Sequence, residues 1–257
     1  MSMQFPSALS IAGSDPSGGA GVQVDLKTFV KTGVWGMAVI TALTAQNASE
    51  VRGSWAIKPD IVREQISTVL EDITPGAIKT GMLANSGIIR MIAQTIPEKI
   101  PLVIDPVMVS TSGYRLLSED AVRDIQELLI PLSHILTPNI PEAEILSKMS
   151  INTEEEMIEA ALRIIDLGAR HVVLKGGHGS GKEATDLLVG KKDITRLVHP
   201  RKPFDVHGSG CSFSAAIAGF IAQGLDEKEA CTRAKKIVSN GIDNAIFGKS
   251  GKGMINP

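Results

Sequence analysis

The sequence predicts an α/β fold, a mainly parallel central sheet flanked by helices. Three observations carry that expectation. Short apolar runs alternate with longer amphipathic ones along the whole chain, as strands alternate with the helices that cover them. Polar and glycine-rich residues gather directly after the apolar runs, where open α/β sheets bind ligands. No linker rich in Pro, Ser or Gly, no internal repeat and no low-complexity tract divides the 257 residues, so residues 1–257 read as one domain.

Taken in order, strands are expected at 8–12, 38–45, 77–80, 102–105, 135–137 and 171–175, each a short run rich in Ala, Ile, Val and Leu. Helices fit 19–32, 60–72, 86–95, 118–129, 142–148 and 153–167, with two more at 210–223 and 226–245. The stretch 184–198 reads as a hairpin, because Gly190-Lys191-Lys192-Asp193 separates two β-prone runs. Every strand end carries something unusual. Gly13-Ser14-Asp15-Pro16-Ser17-Gly18-Gly19 follows the first, Gln46-Asn47 ends the second, and Gly81-Met82 follows the third. Asp105-Pro106 ends the fourth, Pro138-Asn139 follows the fifth, and Lys175-Gly176-Gly177 ends the sixth. That edge of the sheet is the candidate site.

Composition narrows the class without naming it. Apolar residues make up 43% and charged residues 21%, an ordinary globular balance. A net charge of −2 excludes a broad basic field for nucleic acid or anionic lipid. The longest apolar stretch, about 210–224, is too short to cross a bilayer and reads as a buried helix. Residues 1–5 hold no Lys or Arg ahead of the first apolar run, unlike a secretory signal. Two cysteines, Cys211 and Cys231, are too few for a disulfide framework, and a reducing cytoplasm is expected.

Two segments imitate nucleotide motifs. Gly176 to Lys182 nearly spells a phosphate-binding P-loop, but Glu183 stands where Ser or Thr should hold Mg²⁺, and a strand rather than a helix is expected next. Lys175 is therefore the more useful lysine. The loop from Gly13 to Gly21 lacks the spacing of a dinucleotide fingerprint and is interrupted by Pro16. Its glycines, with Asp15 and Ser17, suggest backbone passing close to a ligand.

The strongest local signal is Asp205-Val206-His207-Gly208-Ser209-Gly210-Cys211, leading into an apolar helix. Glycines at a helix start leave its first N–H groups unobstructed, and the helix dipole adds positive potential, which together favour an anion. The same glycines also suit a plain turn into a buried helix. Cys211 falls in the first helical turn, where a thiol pKa is lowered, although nearby phosphates would raise it again. Cys231 lies on the apolar stripe of Ala234, Val238 and Ile242 and reads as a core residue. Asn139 and Glu142 open a helix and present oxygens suited to Mg²⁺, or they simply cap that helix.

Together these pieces resemble the hydroxymethylpyrimidine/phosphomethylpyrimidine kinases. The resemblance rests on 12–21 with Gln23, Asp25, Leu26 and Lys27, on Ile40-Thr41-Ala42-Leu43 with Ala45-Gln46-Asn47, and on Lys79-Thr80-Gly81-Met82-Leu83. It continues through Asp105-Pro106-Val107-Met108, Thr137-Pro138-Asn139 with Pro141-Glu142-Ala143, Lys175-Gly176-Gly177-His178, and Gly208-Ser209-Gly210-Cys211. It implies a ribokinase-like, three-layer α/β/α fold, ATP with Mg²⁺, and phosphorylation of the thiamine pyrimidine and then of its monophosphate. It implies that Gly13, Ala20, Asp25, Gln46, Met82 and Val107 line the pyrimidine pocket, and that Gln46 reads the aminopyrimidine edge. By the same resemblance Gly208, Ser209, Gly210 and Cys211 hold the moving phosphoryl group, and Lys175 pairs with ATP phosphate. Asn139, Glu142 and Asp105 organise the metal, and the protein is a homodimer.

The chain departs from the family at Val206, where a hydroxyl is common, and at Tyr114-Arg115, where an Asp is common. Cys211 stands as either the base for the substrate hydroxyl or a wall of the pocket, with Asp25 or water taking the proton in the second case. A pyridoxal-type vitamin kinase of the same fold and a non-catalytic pyrimidine sensor are the alternatives. Retention of Lys175, Asn139, Glu142 and Cys211 together argues against the sensor.

Overall fold

The computed structural model describes residues 5–108, 117–176, 183–202 and 206–257. The elements follow one another as β1 (Ser7–Ser14), α1 (Gly21–Thr32), β2 (Trp35–Gln46), β3 (Val51–Ala56), α2 (Pro59–Asp72), β4 (Ala77–Thr80) and α3 (Ser86–Thr95). Next come β5 (Leu102–Ile104), α4 (Glu119–Asp124), β6 (Ile135–Leu136), α5 (Ile140–Ser147), α6 (Glu154–Asp166) and β7 (His171–Lys175). The chain ends with β8 (Glu183–Val189), β9 (Ile194–Pro200), β10 (Val206–His207), α7 (Ser209–Ala222), α8 (Glu227–Asp243), β11 (Ile246–Phe247) and β12 (Gly253–Met254).

Nine strands form the main sheet in the order β3-β2-β1-β4-β5-β6-β7-β8-β9. The six from β2 to β7 are parallel, while β3 and the β8–β9 hairpin run antiparallel at the two sides. Alternation along each strand feeds two cores. Leu9, Ile11, Ile78 and Ile104 face one side with α2, α3, α5 and α6, whereas Ala8, Ala77, Val103 and Val173 face the other with α1, α7 and α8. This is the expected three-layer α/β/α arrangement. Both faces are covered, which is why the central strands read as continuous apolar runs.

All the expected strands and helices are present, with shifted ends. Three features differ. The helix expected over 118–129 is α-helical only to Asp124, then opens into a π-turn at Ile125–Leu129 and a 3₁₀ turn at Ile130–Leu132. Pro131 has no N–H to give the carbonyl four residues back, so a regular ladder cannot continue through it. Strand β3 was not expected, because Arg52, Gly53 and Ser54 interrupt its apolar pattern; it forms by pairing along β2. A small second sheet, β10-β12-β11, ties residues just before α7 to the C-terminal segment. Among the described residues no helix is long and apolar enough to cross a membrane.

Candidate active site

Parallel strands deliver their carboxyl ends to one edge, and the sequence-selected residues meet there. Helix α7 starts at Gly208, which takes the left-handed conformation (φ 83°) and caps the helix with no side chain. A Cβ at Gly208 would lie 1.7 Å from the Gly19 carbonyl oxygen, so the glycine loop after β1 rests directly on this turn. Among the described residues no side chain caps the first turn of α7. A Cβ on Gly210 would stand 3.4 Å from the Lys175 ammonium and 4.0 Å from Asp105 Oδ2, which brings turn, lysine and carboxylate to one point.

Lys175, at the end of β7, donates to Asp105 Oδ1 at 3.1 Å. Burial works against its charge, but Asp105 and then Glu142 outweigh that and raise its pKa. Its backbone is set by a hydrogen bond from Lys175 N–H to the Pro138 carbonyl. The adjoining Gly176 N–H donates to Asp186 Oδ1, and Asp186 pairs in turn with Lys235 of α8. Residues 177–182, with Lys182 of the near P-loop, lie outside the described residues, as do Tyr114, Arg115 and Asp205.

Asn139 and Glu142 form a full capping box on α5. Asn139 Oδ1 accepts the Glu142 N–H, and Glu142 Oε2 accepts the Asn139 N–H, both at 2.9 Å. The capping alternative for Asn139 is thus realised, with its side-chain oxygen bound to the Glu142 N–H. Burial pushes the Glu142 carboxyl up to about 7; Lys175 opposes the rise and Asp105 adds to it. Two buried carboxylates thus share one lysine, an arrangement short of positive charge and fitted to a divalent cation. Among the described residues no three His, Cys, Asp or Glu side chains gather as a ready-made cation site. A cation here would complete its shell with water and nucleotide phosphate.

On the other side of the turn, Gly13 packs on Met82, where an added Cβ would meet the sulfur at 3.3 Å. Thr41 fixes that segment by donating to the Met82 carbonyl at 2.6 Å. Ala20 precedes α1, and its N–H donates to Asp15 Oδ2 at 2.9 Å. Val107 follows Asp105 and donates its N–H back to the Asp105 carbonyl. Asp25 is fully buried, with Oδ2 accepting from Ser10 (2.6 Å) and Lys79 (2.8 Å), and Oδ1 has no partner among the described residues. Burial disfavours the Lys79 ammonium, yet Asp25 outweighs it and the lysine pKa is raised. Asp25 is thus anchored as half of an internal ion pair.

Cys211 is half-buried. Burial pushes its thiol up to about 11; Lys79 opposes this, and Asp105 and Asp25 add to it. Burial therefore outweighs the lowering expected from the first turn of a helix. Cys231 is completely buried in the core beneath α8, as expected. Val206 is buried within β10 and pairs with Gly253.

Sequence reasoning passed over two groups. His207 bridges Asp15 Oδ2 (2.9 Å) and the Gln46 amide (3.2 Å), linking the glycine loop, the end of β2 and the anion turn. Lys79 signalled itself as the one charge in the four-residue strand β4, where a buried lysine requires a carboxylate partner.

Comparison with known proteins bears on this arrangement. A family model described as phosphomethylpyrimidine kinase matches residues 15–256. The hydroxymethylpyrimidine/phosphomethylpyrimidine kinase of Bacillus subtilis is 40% identical over 258 residues, covering 99% of this chain and 95% of that protein. The crystal structure of a phosphomethylpyrimidine kinase from Clostridium difficile superposes with a TM-score of 0.82 at 42% identity, covering 92% of this chain and 99% of that one. A pyridoxal kinase from Staphylococcus aureus, in complex with AMP-PCP and pyridoxal, gives a TM-score of 0.90 at 33% identity, covering 98% of this chain and 93% of that one.

Proposed function

The chain belongs to the phosphomethylpyrimidine kinase family, and from that premise we propose that it transfers the γ-phosphoryl group of ATP to 4-amino-5-hydroxymethyl-2-methylpyrimidine and then to its monophosphate. The observation that carries the reading is the uncapped start of α7 beside the Lys175 ammonium and the Asp105 carboxylate. Phosphoryl transfer depends on positioning and on neutralising charge that spreads over the moving group. Backbone N–H groups of 208–211 receive the equatorial oxygens, while Lys175 exchanges Asp105 for a phosphate oxygen. Asp105 and Glu142 would hold Mg²⁺, which supplies further positive charge against the phosphates. Gly13, Ala20, Met82 and Val107 form the walls around the ring, and Gln46 meets its amino edge. Asp25, with Lys79 behind it, provides a fixed acceptor below.

The thiol of Cys211, protonated at neutral pH in the ligand-free site, packs against the ring and does not begin as a base. In a loose transition state the substrate hydroxyl loses its proton late, to Asp25 or to water, so little rate depends on an early base. A homodimer is part of the proposal. Leu43 and Trp55, cross-strand partners on the β2–β3 ribbon, are both exposed and offer an apolar face for it.

The S. aureus pyridoxal kinase superposes closely, so a pyridoxal-type substrate is the second reading. A coupled ADP-release assay with the pyrimidine alcohol and pyridoxal side by side separates the two. The expected result is a pyrimidine preference. Gln46→Ala should raise KM for the pyrimidine alcohol about tenfold or more, the cost of a lost buried hydrogen-bond pair, and leave KM for ATP unchanged. Unchanged kinetics for the alcohol would remove Gln46 from the pocket.

A further inference from the structure

Gln46 does not stand alone at the end of β2. Its amide nitrogen lies 3.2 Å from His207 Nε2, and the same ring nitrogen lies 2.9 Å from Asp15 Oδ2. That nitrogen cannot at once donate to Asp15 and accept from an amide NH₂, so the chemistry of the three groups decides which arrangement holds. Asp15 is immobilised before His207 is considered. Its Oδ1 accepts from the N–H and the hydroxyl of Ser17, and its Oδ2 accepts from the Ala20 N–H. Burial works against charge on this carboxyl, but hydrogen bonds from His207 and Ser17 outweigh it and hold its pKa below the ordinary value. A carboxylate has no hydrogen to offer, so Nε2 must carry the ring proton and direct it at Asp15. His207 Nδ1 has no partner among the described residues, as suits the bare lone pair of that tautomer.

An Nε2 that carries a proton cannot accept one from the Gln46 NH₂ group, and two donors facing each other repel. The amide is therefore stable only with its oxygen turned to the Nε2–H, which it shares with Asp15 Oδ2, and its NH₂ turned away. We infer that His207, held by Asp15, is a positioning residue that fixes the sense of the Gln46 amide and so selects an amino over an oxo substituent on the substrate ring. With the sense fixed, the remaining lone pair of the amide oxygen accepts from an exocyclic amino group, and the NH₂ donates to the adjacent ring nitrogen. A 4-oxo analogue presents the reverse pattern, a carbonyl beside a ring N–H, and meets like groups at both positions. The surroundings leave His207 no alternative seat: an added Cβ on Gly19 would fall 2.8 Å from its Cδ2, and its carbonyl is bound by the Ile255 N–H.

The inference rests on the reading of Gln46 as the group that meets the amino edge, and the experiment keeps the two apart. The kcat/KM ratio for the 4-amino alcohol over its 4-oxo analogue is measured in wild type, Gln46→Ala, His207→Leu and His207→Gln, alongside KM for ATP and the melting temperature. Wild type is expected to favour the amino compound at least about 10²-fold, given the cost of opposed polar groups in a buried site. His207→Leu should bring the ratio to within about tenfold of unity while KM for ATP stays within about twofold. His207→Gln, whose amide can place an N–H toward Asp15, should restore most of the ratio. If His207→Leu fails to fold, Asp15→Asn serves in its place, because an amide there no longer dictates the tautomer. The imidazole ¹⁵N spectrum should show the Nε2–H form in wild type and lose it in Asp15→Asn. A ratio that survives His207→Leu or Asp15→Asn but collapses in Gln46→Ala overturns the inference and leaves the proposed function intact. A ratio untouched by Gln46→Ala removes the reading of Gln46, and the inference with it.

Discussion

Two helix N-termini stand side by side at the carboxyl edge of the sheet, and they are finished in opposite ways. At α5, Asn139 and Glu142 satisfy the first donors reciprocally. At α7, Gly208 offers no side chain at all. Every helix start leaves N–H groups without intrahelical partners, and either the protein or a ligand must supply acceptors. At α5 the protein supplies them through the Asn139 and Glu142 side chains. At α7 no side chain among the described residues caps them, and the Lys175 ammonium stands beside them. The pair teaches that a polar, glycine-bearing helix start does not by itself mark an anion site; α1 and α2 also lack a side-chain cap, and what sets α7 apart is the Lys175 ammonium beside its first turn.

The largest expected effect comes from closing the open turn of α7. In Gly208→Ala the new Cβ would meet the Gly19 carbonyl at 1.7 Å, and an L side chain must adopt φ 83°. Turnover should fall by about 10³-fold or more, as when a preorganised oxyanion donor is displaced. Gly224, at the other end of the same helix, is the control. It also has positive φ (85°), yet a Cβ there meets nothing within 4 Å. Gly224→Ala should cost about 1 kcal/mol of stability in thermal unfolding and leave kcat unchanged. Equal losses of turnover in the two variants would mean that conformational strain, not the open turn, governs the effect.

Next is the lysine that accompanies the open turn. Lys175→Ala should lower kcat by about 10²-fold or more through loss of charge on the moving phosphoryl group. Lys182→Ala, at the lysine of the near P-loop, should stay close to wild type. Steady-state kinetics with varied ATP checks both, and the reverse ranking would place the phosphates at the wrong loop.

The closed turn of α5 is tested by keeping its cap and removing its charge. Glu142→Gln retains an oxygen for the Asn139 N–H, so α5 should remain capped. Burial holds the native Glu142 carboxyl protonated up to about pH 7, whereas its ordinary pKa is 4.5. Between those values the native state binds more protons than the unfolded chain, so this group lowers stability as pH rises through the window. The Gln variant escapes that loss. Its melting temperature should match wild type below the window and exceed it by about 3 °C near pH 8 without added metal. The Mg²⁺ concentration for half-maximal activity should rise several-fold. A variant less stable at every pH would make Glu142 a cap and nothing more.

Much of this contrast was legible beforehand. The apolar runs at 77–80 and 171–175 marked the strands, and the residues after them marked the edge that holds the site. The choice between cap and ligand at Asn139 was open, because the same oxygen serves either purpose and only three-dimensional placement decides between them. Strand β3 was hidden because its pairing with β2, not its own pattern, forms it. His207 was hidden for a different reason: its partners Asp15 and Gln46 are 192 and 161 positions away. No local spacing announces contacts of that range.

Cys211 sits in the open turn of α7 and faces the charges of Lys79, Asp105 and Asp25. A helix N-terminus alone would make this thiol a nucleophile or a base. Burial reverses that, and the thiol is pushed up to about 11, with Asp105 and Asp25 adding to the rise and Lys79 resisting it. At neutral pH only about one part in 10⁴ of the ligand-free protein then carries a thiolate. Iodoacetamide should accordingly react slowly near pH 7, with a rate that climbs about tenfold per pH unit toward the thiol pKa. Bound pyrimidine should slow the reaction further by covering the sulfur. Cys211→Ala should lower kcat by no more than about tenfold, the loss of a packed wall rather than of a base whose removal costs about 10²-fold or more. Cys211→Ser should be nearly wild type. A hundredfold loss in both variants, with rapid alkylation at neutral pH, would show that the open turn overcomes burial and that the thiol takes the proton.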